Sequence, residues 1–108
     1  MHYEVPFQCE IAREEEGVRV RVFGSLDMAT SPELDAKLTE LYAARHRLII
    51  LDLGDLDFID SSGLRLLLGW DAVARSDGMA LHLVPGPPAV QLVFDVTGTA
   101  DAFTFRPA

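Results

Sequence analysis

The sequence predicts an α/β fold, a mixed sheet with an antiparallel start and parallel crossover strands. Three observations predict it: an early stretch where apolar and polar residues alternate, a run at residues 48–53 that barely alternates, and apolar stripes of helical period around that run. In order, Tyr3 to Ile11 reads as a first strand broken early by Pro6, and Glu14-Glu15-Glu16-Gly17 as a charged turn. Val18-Arg19-Val20-Arg21-Val22-Phe23 alternates with period two, as a half-exposed hairpin strand does, and Gly24 is read as its end. Thr30-Ser31-Pro32-Glu33 then combines hydroxyl caps, an early proline and a capping-box glutamate, so a helix starts there. Its buried stripe is Leu34, Leu38, Leu41 and Tyr42. Leu48-Ile49-Ile50-Leu51-Asp52-Leu53 is the central strand, expected to be covered by helices on both faces.

Gly54 to Asp60 is read as a loop, followed by a second helix from about Ser61 to Arg75 that stops at Asp77-Gly78. Leu64, Leu67, Leu68 and Ala72 give that helix one apolar face, and Leu66, Trp70 and Val73 a second. Leu66 and Val73 are expected to be buried; Trp70 is the better partner anchor, because tryptophan is enriched in interface hot spots. Ala80-Leu81-His82-Leu83-Val84 is the next parallel strand. Pro85-Gly86-Pro87-Pro88 turns into a third helix with Val90, Leu92, Val93 and Val96 on its apolar side before Gly98. Phe103 and Phe105 mark a short last strand, and the parallel crossovers must be right-handed.

Composition narrows the function. The 108 residues fit one domain spanning 1–108, with 49% hydrophobic and 24% charged residues, an ordinary globular balance. Nine Lys and Arg against seventeen Asp and Glu give a net charge of −8, the wrong sign for neutralising nucleic-acid phosphates or an anionic membrane surface. Neither nucleic acid nor membrane insertion is expected: the longest apolar stretches fall well short of the roughly 20 residues that cross a bilayer. The start of the chain lacks a basic segment followed by an apolar one, which favours a cytoplasmic location. Cys9, the single cysteine, allows no intrachain disulfide or cysteine zinc cage, and if buried it is a small apolar filler.

The chemistry concentrates in Asp52-Leu53-Gly54-Asp55-Leu56-Asp57-Phe58-Ile59-Asp60-Ser61-Ser62-Gly63-Leu64, which delivers two hydroxyls between a buried strand and a helix. One reading makes Asp60, Ser61 or Ser62 simply the N-cap. The sharper reading makes one serine a phosphoryl acceptor: a phosphate there meets free backbone N–H groups and the positive helix end, and also the carboxylates of Asp60 and Asp27. The aspartates at 52, 55, 57 and 60 lack the glycine and terminal glutamate of a calcium loop, so no metal is expected. A serine hydrolase would need a G-x-S-x-G elbow and a base, and the elbow is absent. His82 lies inside a strand, and His46 between Arg45 and Arg47 near a helix end, so no catalytic residue is expected. Phosphate-cradling glycine motifs are missing too, so no nucleotide cofactor is expected.

Gly24-Ser25-Leu26-Asp27, the strand 48–53, Phe58-Ile59-Asp60-Ser61-Ser62-Gly63-Leu64 and Leu92-Val93-Phe94-Asp95-Val96-Thr97-Gly98 resemble, in order and spacing, the STAS domain, in particular the bacterial anti-sigma factor antagonists. The resemblance covers nearly the whole chain. It implies a STAS-like mixed sheet of four to five strands with about four helices. It also implies partner switching: the unphosphorylated protein binds an anti-sigma factor serine kinase of the GHKL type, and loses it once a serine is phosphorylated. A metal-dependent Ser/Thr phosphatase resets the state, and the control bears on sigma-factor-dependent transcription, as in stress response or sporulation signalling. The family acceptor is the hydroxyl directly after the aspartate, here Ser61, with Ser62 the runner-up and expected to hydrogen-bond into the helix start. Asp27, Asp60, Ser62, Gly63, Arg65 and Trp70 are the expected partner-binding residues. Three positions depart from the pattern: Ser25 where many antagonists have glutamate, Thr99 where leucine is common, and Arg65 where several relatives have glycine. A STAS scaffold or regulatory subunit of a transporter or lipid-trafficking complex, with Ser61 as a contact, is the alternative.

Overall fold

The computed structural model describes residues 5–107. Its elements are β1 Gln8–Arg13, β2 Val18–Leu26, α1 Ser31–Ala43, β3 Leu48–Asp52, β4 Leu56–Ile59, α2 Ser61–Ser76, β5 Ala80–Val84, α3 Pro88–Thr97, a 3-10 turn at Ala100–Ala102, and β6 Thr104–Phe105. The α/β class and mixed sheet are as the sequence predicts. Among the described residues there are six strands and three α-helices, against an expected four to five and about four. β1 begins after Pro6 and runs on to Arg13; the expected start at Tyr3 lies outside the described residues.

The sheet order is β1-β2-β3-β5-β6, with β4 paired to β2 off that path. β1 is antiparallel to β2, and every other pairing is parallel. The long strand β2 makes this possible. Its first half, Val18–Arg21, pairs with Ile49–Asp52, and its last residues, Gly24–Leu26, pair with β4 after a register shift between Gly24 and Ser25. Gly24 therefore bends the strand instead of ending it. Its φ of +87° suits glycine, and a side chain would meet the Val5 carbonyl at 2.8 Å.

Buried apolar side chains of all three helices join one core with Val20, Val22, Ile49, Leu51, Leu81 and Leu83, which alternate along their strands and so share one face. Among the described residues no second helical layer covers β3, contrary to expectation. Ile50 is buried on the other face, in a row with Arg19 on β2 and His82 on β5. That face carries ion pairs: Arg19 with Glu14 and Asp52, and Arg21 with Asp55. The hydrogen bond to Glu14, more than the one to Asp52, raises the already high pKa of Arg19.

Two helices present different faces from those expected. On α2, Leu64, Leu67, Asp71 and Ala74 are buried and Ala72 is exposed. Asp71 can occupy the inner face because Arg75 donates to it at 2.7 Å. On α3, Val90 and Phe94 are buried while Leu92 and Val96 face outward. Phe94 meets Phe103 and Phe105 edge to face at 5.4 and 5.3 Å, contacts worth about 0.5–1.5 kcal/mol each beyond area burial. Among the described residues, no helix is long and apolar enough to cross a membrane.

Candidate functional site

β2, β4 and β5 run parallel, so their carboxyl ends share one edge of the sheet, where α/β folds collect their binding loops. β2 delivers Asp27 there and β4 delivers Asp60-Ser61-Ser62. The two arms are tied together: the Asp60 N–H donates to the Leu26 carbonyl at 3.1 Å. Gly63 permits the close fit. It is buried, and an added Cβ would stand 2.7 Å from the Leu26 carbonyl oxygen.

Asp60 is the N-cap of α2. Its Oδ1 accepts the Ser62 N–H at 2.8 Å and the Gly63 N–H at 3.0 Å, filling two orphan donors of the first turn. Of the three cap candidates, the structure thus selects Asp60. Ser61, the first helical residue, is exposed, and its hydroxyl makes no hydrogen bond to a described residue. Ser62 is half-buried; the bond expected of it is made by its backbone N–H, not its hydroxyl. Asp27 stabilises its own turn: Oδ1 accepts the N–H groups of Ala29 and Thr30, both at 3.0 Å. The capping box expected at Thr30 and Glu33 does not form. Thr30 Oγ1 donates instead to the Ser25 carbonyl at 2.7 Å, and α1 has no side-chain cap.

Beside the serines runs a groove of about 650 Å³ between the start of α1 and the outer side of α2. Met28, Leu66, Trp70 and Val73 give it apolar walls, while Ser62 and Arg65 line it too. Val73 is exposed and Leu66 half-buried, so the pair expected to be buried forms part of a surface. Trp70 is tethered within the groove: its Nε1 donates to Oδ1 of Asp35, another lining residue, at 2.8 Å, and its ring packs on Tyr42 at 5.8 Å. Sequence reasoning missed Met28 and Ser31. Met28 is a 77% exposed side chain at the lip, and Ser31 lines the groove while its Oγ is buried with no partner among the described residues. No periodic signal could have found a loop methionine.

The other candidates separate. Among the described residues no group of three His, Cys, Asp or Glu could hold a metal ion. Asp52 and Asp55 are paired with arginines, Asp60 caps α2, and Asp57 is exposed. His82 lies on the sheet face away from the helices, and His46 at the opposite, amino edge of β3. Cys9 is half-buried against the core, and burial, the largest influence, pushes its thiol pKa up.

The site is thus a mainly apolar groove lined by Ser62, with the exposed Ser61 next to it in the chain at the carboxyl edge of the sheet, a concave surface of the kind that binds ligands and partners. The family described as Mlab, STAS domain, matches residues 9–105. The chain is 28% identical over 92 residues to the anti-sigma-B factor antagonist of Staphylococcus aureus, covering 85% of each. It is 34% identical over 80 residues to BtrV of Bordetella bronchiseptica, a candidate anti-sigma factor antagonist, covering 74% of this chain and 69% of that one. The structure of the antagonist SpoIIAA in its unphosphorylated form matches with a TM-score of 0.75 at 28% identity, over 95% of this chain and 88% of that one. SpoIIAA of Bacillus in its phosphorylated form matches at 0.71, also at 28% identity, over 95% and 91%. The chain belongs to the STAS domain family, among its anti-sigma factor antagonists.

Proposed function

We propose that this protein is a phosphorylation-gated binding module of the cytoplasm, without catalysis of its own and acting as a single STAS unit. Unphosphorylated, it docks an anti-sigma factor serine kinase of the GHKL type through Ser61, Arg65, Trp70 and the groove beside them, so that a sigma factor is freed. Asp27, Asp60, Ser62 and Gly63 shape and hold that surface. The observation that carries this reading is the exposed Ser61, its hydroxyl bonded to no described residue, on the first turn of a helix whose cap holds its neighbours. SpoIIAA, a 28% identical relative, is described in a phosphorylated form, which supports modification as the gate.

In the modification, the Ser61 oxygen attacks the γ-phosphorus of the kinase's ATP and forms the O–P bond. The bond to the bridging oxygen of ADP breaks, and the hydroxyl proton passes to a carboxylate of the kinase. The phosphoserine brings about −1.5 to −2 charges next to Asp60, which disfavours renewed docking on an acidic partner group. A metal-dependent Ser/Thr phosphatase removes the phosphate by hydrolysis. Incubation with the cognate kinase and ATP, then peptide mass spectrometry on the parent and Ser61→Ala, tests the assignment: one phosphate on Ser61 and none in the variant. Label persisting in the variant, or placed on Ser62, rejects it. A pull-down that returned membrane transport subunits and no kinase would favour the scaffold role.

A further inference from the structure

We infer that Arg65 is an internal clamp for a phosphate on Ser61, so that modification withdraws a free cation from the docking surface as it adds negative charge. The inference rests on Ser61 being the acceptor. Ser61 and Arg65 stand four residues apart on α2, and both are exposed. Side chains at that spacing are neighbours on one helix face, with Cβ atoms about 5–6 Å apart, well within the reach of an arginine. Arg65 is also uncommitted. Arg19, Arg21, Lys37, Arg75 and Arg106 each pair with a carboxylate, whereas Arg65, like Arg13, Arg45 and Arg47 elsewhere on the molecule, makes no ion pair with a described residue.

The charges around position 61 explain what Arg65 changes. Asp60 and Asp27 lie on the two arms that meet there, and Asp60 Oδ1 is already committed to the helix amides. A phosphate on Ser61 would thus have carboxylate-bearing residues on the two adjoining arms and an arginine one turn ahead. The planar fork of arginine suits a phosphate bidentately. Before modification, Arg65 lines the groove beside Ser62 and can meet an acidic group of whatever seats there. After it, Arg65 turns to its own phosphate. The switch then works by exchange of a cation as well as by repulsion.

The test uses protein carrying phosphoserine placed at position 61 during translation, so no kinase is needed. Phosphorus NMR titration of this protein is compared with the same protein bearing Arg65→Gln or Arg65→Lys. The clamp predicts that Arg65 holds the second phosphate pKa about half a unit below its Arg65→Gln value, a roughly threefold change in the proton equilibrium. Arg65→Lys should recover part of that shift, and about 1 M salt should collapse it, because the screening length is then about 3 Å. Equal pKa values in parent and Arg65→Gln overturn the clamp, as does a difference indifferent to salt. A merely structural role for Arg65 would leave the phosphate titration unmoved. If a kinase fails to modify Ser61, the acceptor reading falls while this titration still stands. If the kinase modifies Ser61 and the values are equal, the clamp alone falls.

Discussion

A methyl group at Gly63 probes the packing that places the serine. A Cβ there would lie 2.7 Å from the Leu26 carbonyl oxygen, 2.8 Å from Leu26 Cγ and 2.9 Å from Ile59 Cγ1. Leu26 and Ile59 are wholly buried and have little room to give way. Overpacking of this kind costs about 1–3 kcal/mol. Against it stands the helix preference for alanine over glycine, at most about 1 kcal/mol. Gly69 provides the control on the same helix: it is exposed, and a Cβ there meets nothing within 4 Å, so Gly69→Ala should collect the preference alone. The two variants should therefore differ by about 1–3 kcal/mol, with Gly63→Ala the less stable. At roughly 4–8 °C per kcal/mol for a domain near this size, its Tm should lie about 5–20 °C lower. Thermal and urea denaturation followed by circular dichroism measure both. Equal midpoints, or a more stable Gly63→Ala, would refute the close approach of α2 to the end of β2.

Asp60→Ala should cost about 1 kcal/mol through loss of the N-cap, and Asp60→Asn much less, since asparagine caps nearly as well. Identical urea midpoints for Asp60→Ala and the parent would show that the two amide bonds stabilise nothing. Cys9 makes the alkaline prediction: its native thiol ionises above the ordinary value of 9.0, so the unfolded chain loses that proton first. Stability should then fall as pH rises from the unfolded pKa through the native one, and Cys9→Ala should flatten that slope. A slope unchanged in the variant would assign it elsewhere.

Where one local rule governed an element, the sequence was enough to read it. β5 has the expected residues, and α2 starts at the expected Ser61. β4 escaped because its inward residues are Leu56 and Ile59, three apart, with Asp57 and Phe58 exposed between them, so no period of two exists to detect. α3 offered two apolar stripes of helical spacing, Val90 with Phe94 and Leu92 with Val96, and only the tertiary arrangement chose the first. The inner face of α2 includes Asp71 in place of the expected Ala72, and Arg75 one turn later lets that charge lie inward. The double layer expected over β3 failed for a related reason: an unbroken apolar run shows that a strand is buried, not what buries it. Ile50 is shielded in its row with Arg19 and His82, where long side chains can cover apolar surface without a helix.

The candidate site divides along the same line. The cap and the serine it positions involve residues two and three apart, so the hydrogen bonds of Asp60 follow from Asp-Ser-Ser-Gly before any helix is packed. The groove is long-range: Trp70 owes its fixed orientation to Asp35, thirty-five residues earlier, and Met28 reaches the lip only because the turn held by Asp27 brings it there. Ser62 and Arg65 belong to both, lying one and four residues beyond Ser61 and lining the groove. A group seated in that groove therefore cannot be indifferent to the charge on Ser61. On the proposed reading, a phosphate at Ser61 would change the electrostatics of the groove without requiring the buried frame of Leu26, Ile59 and Gly63 to move.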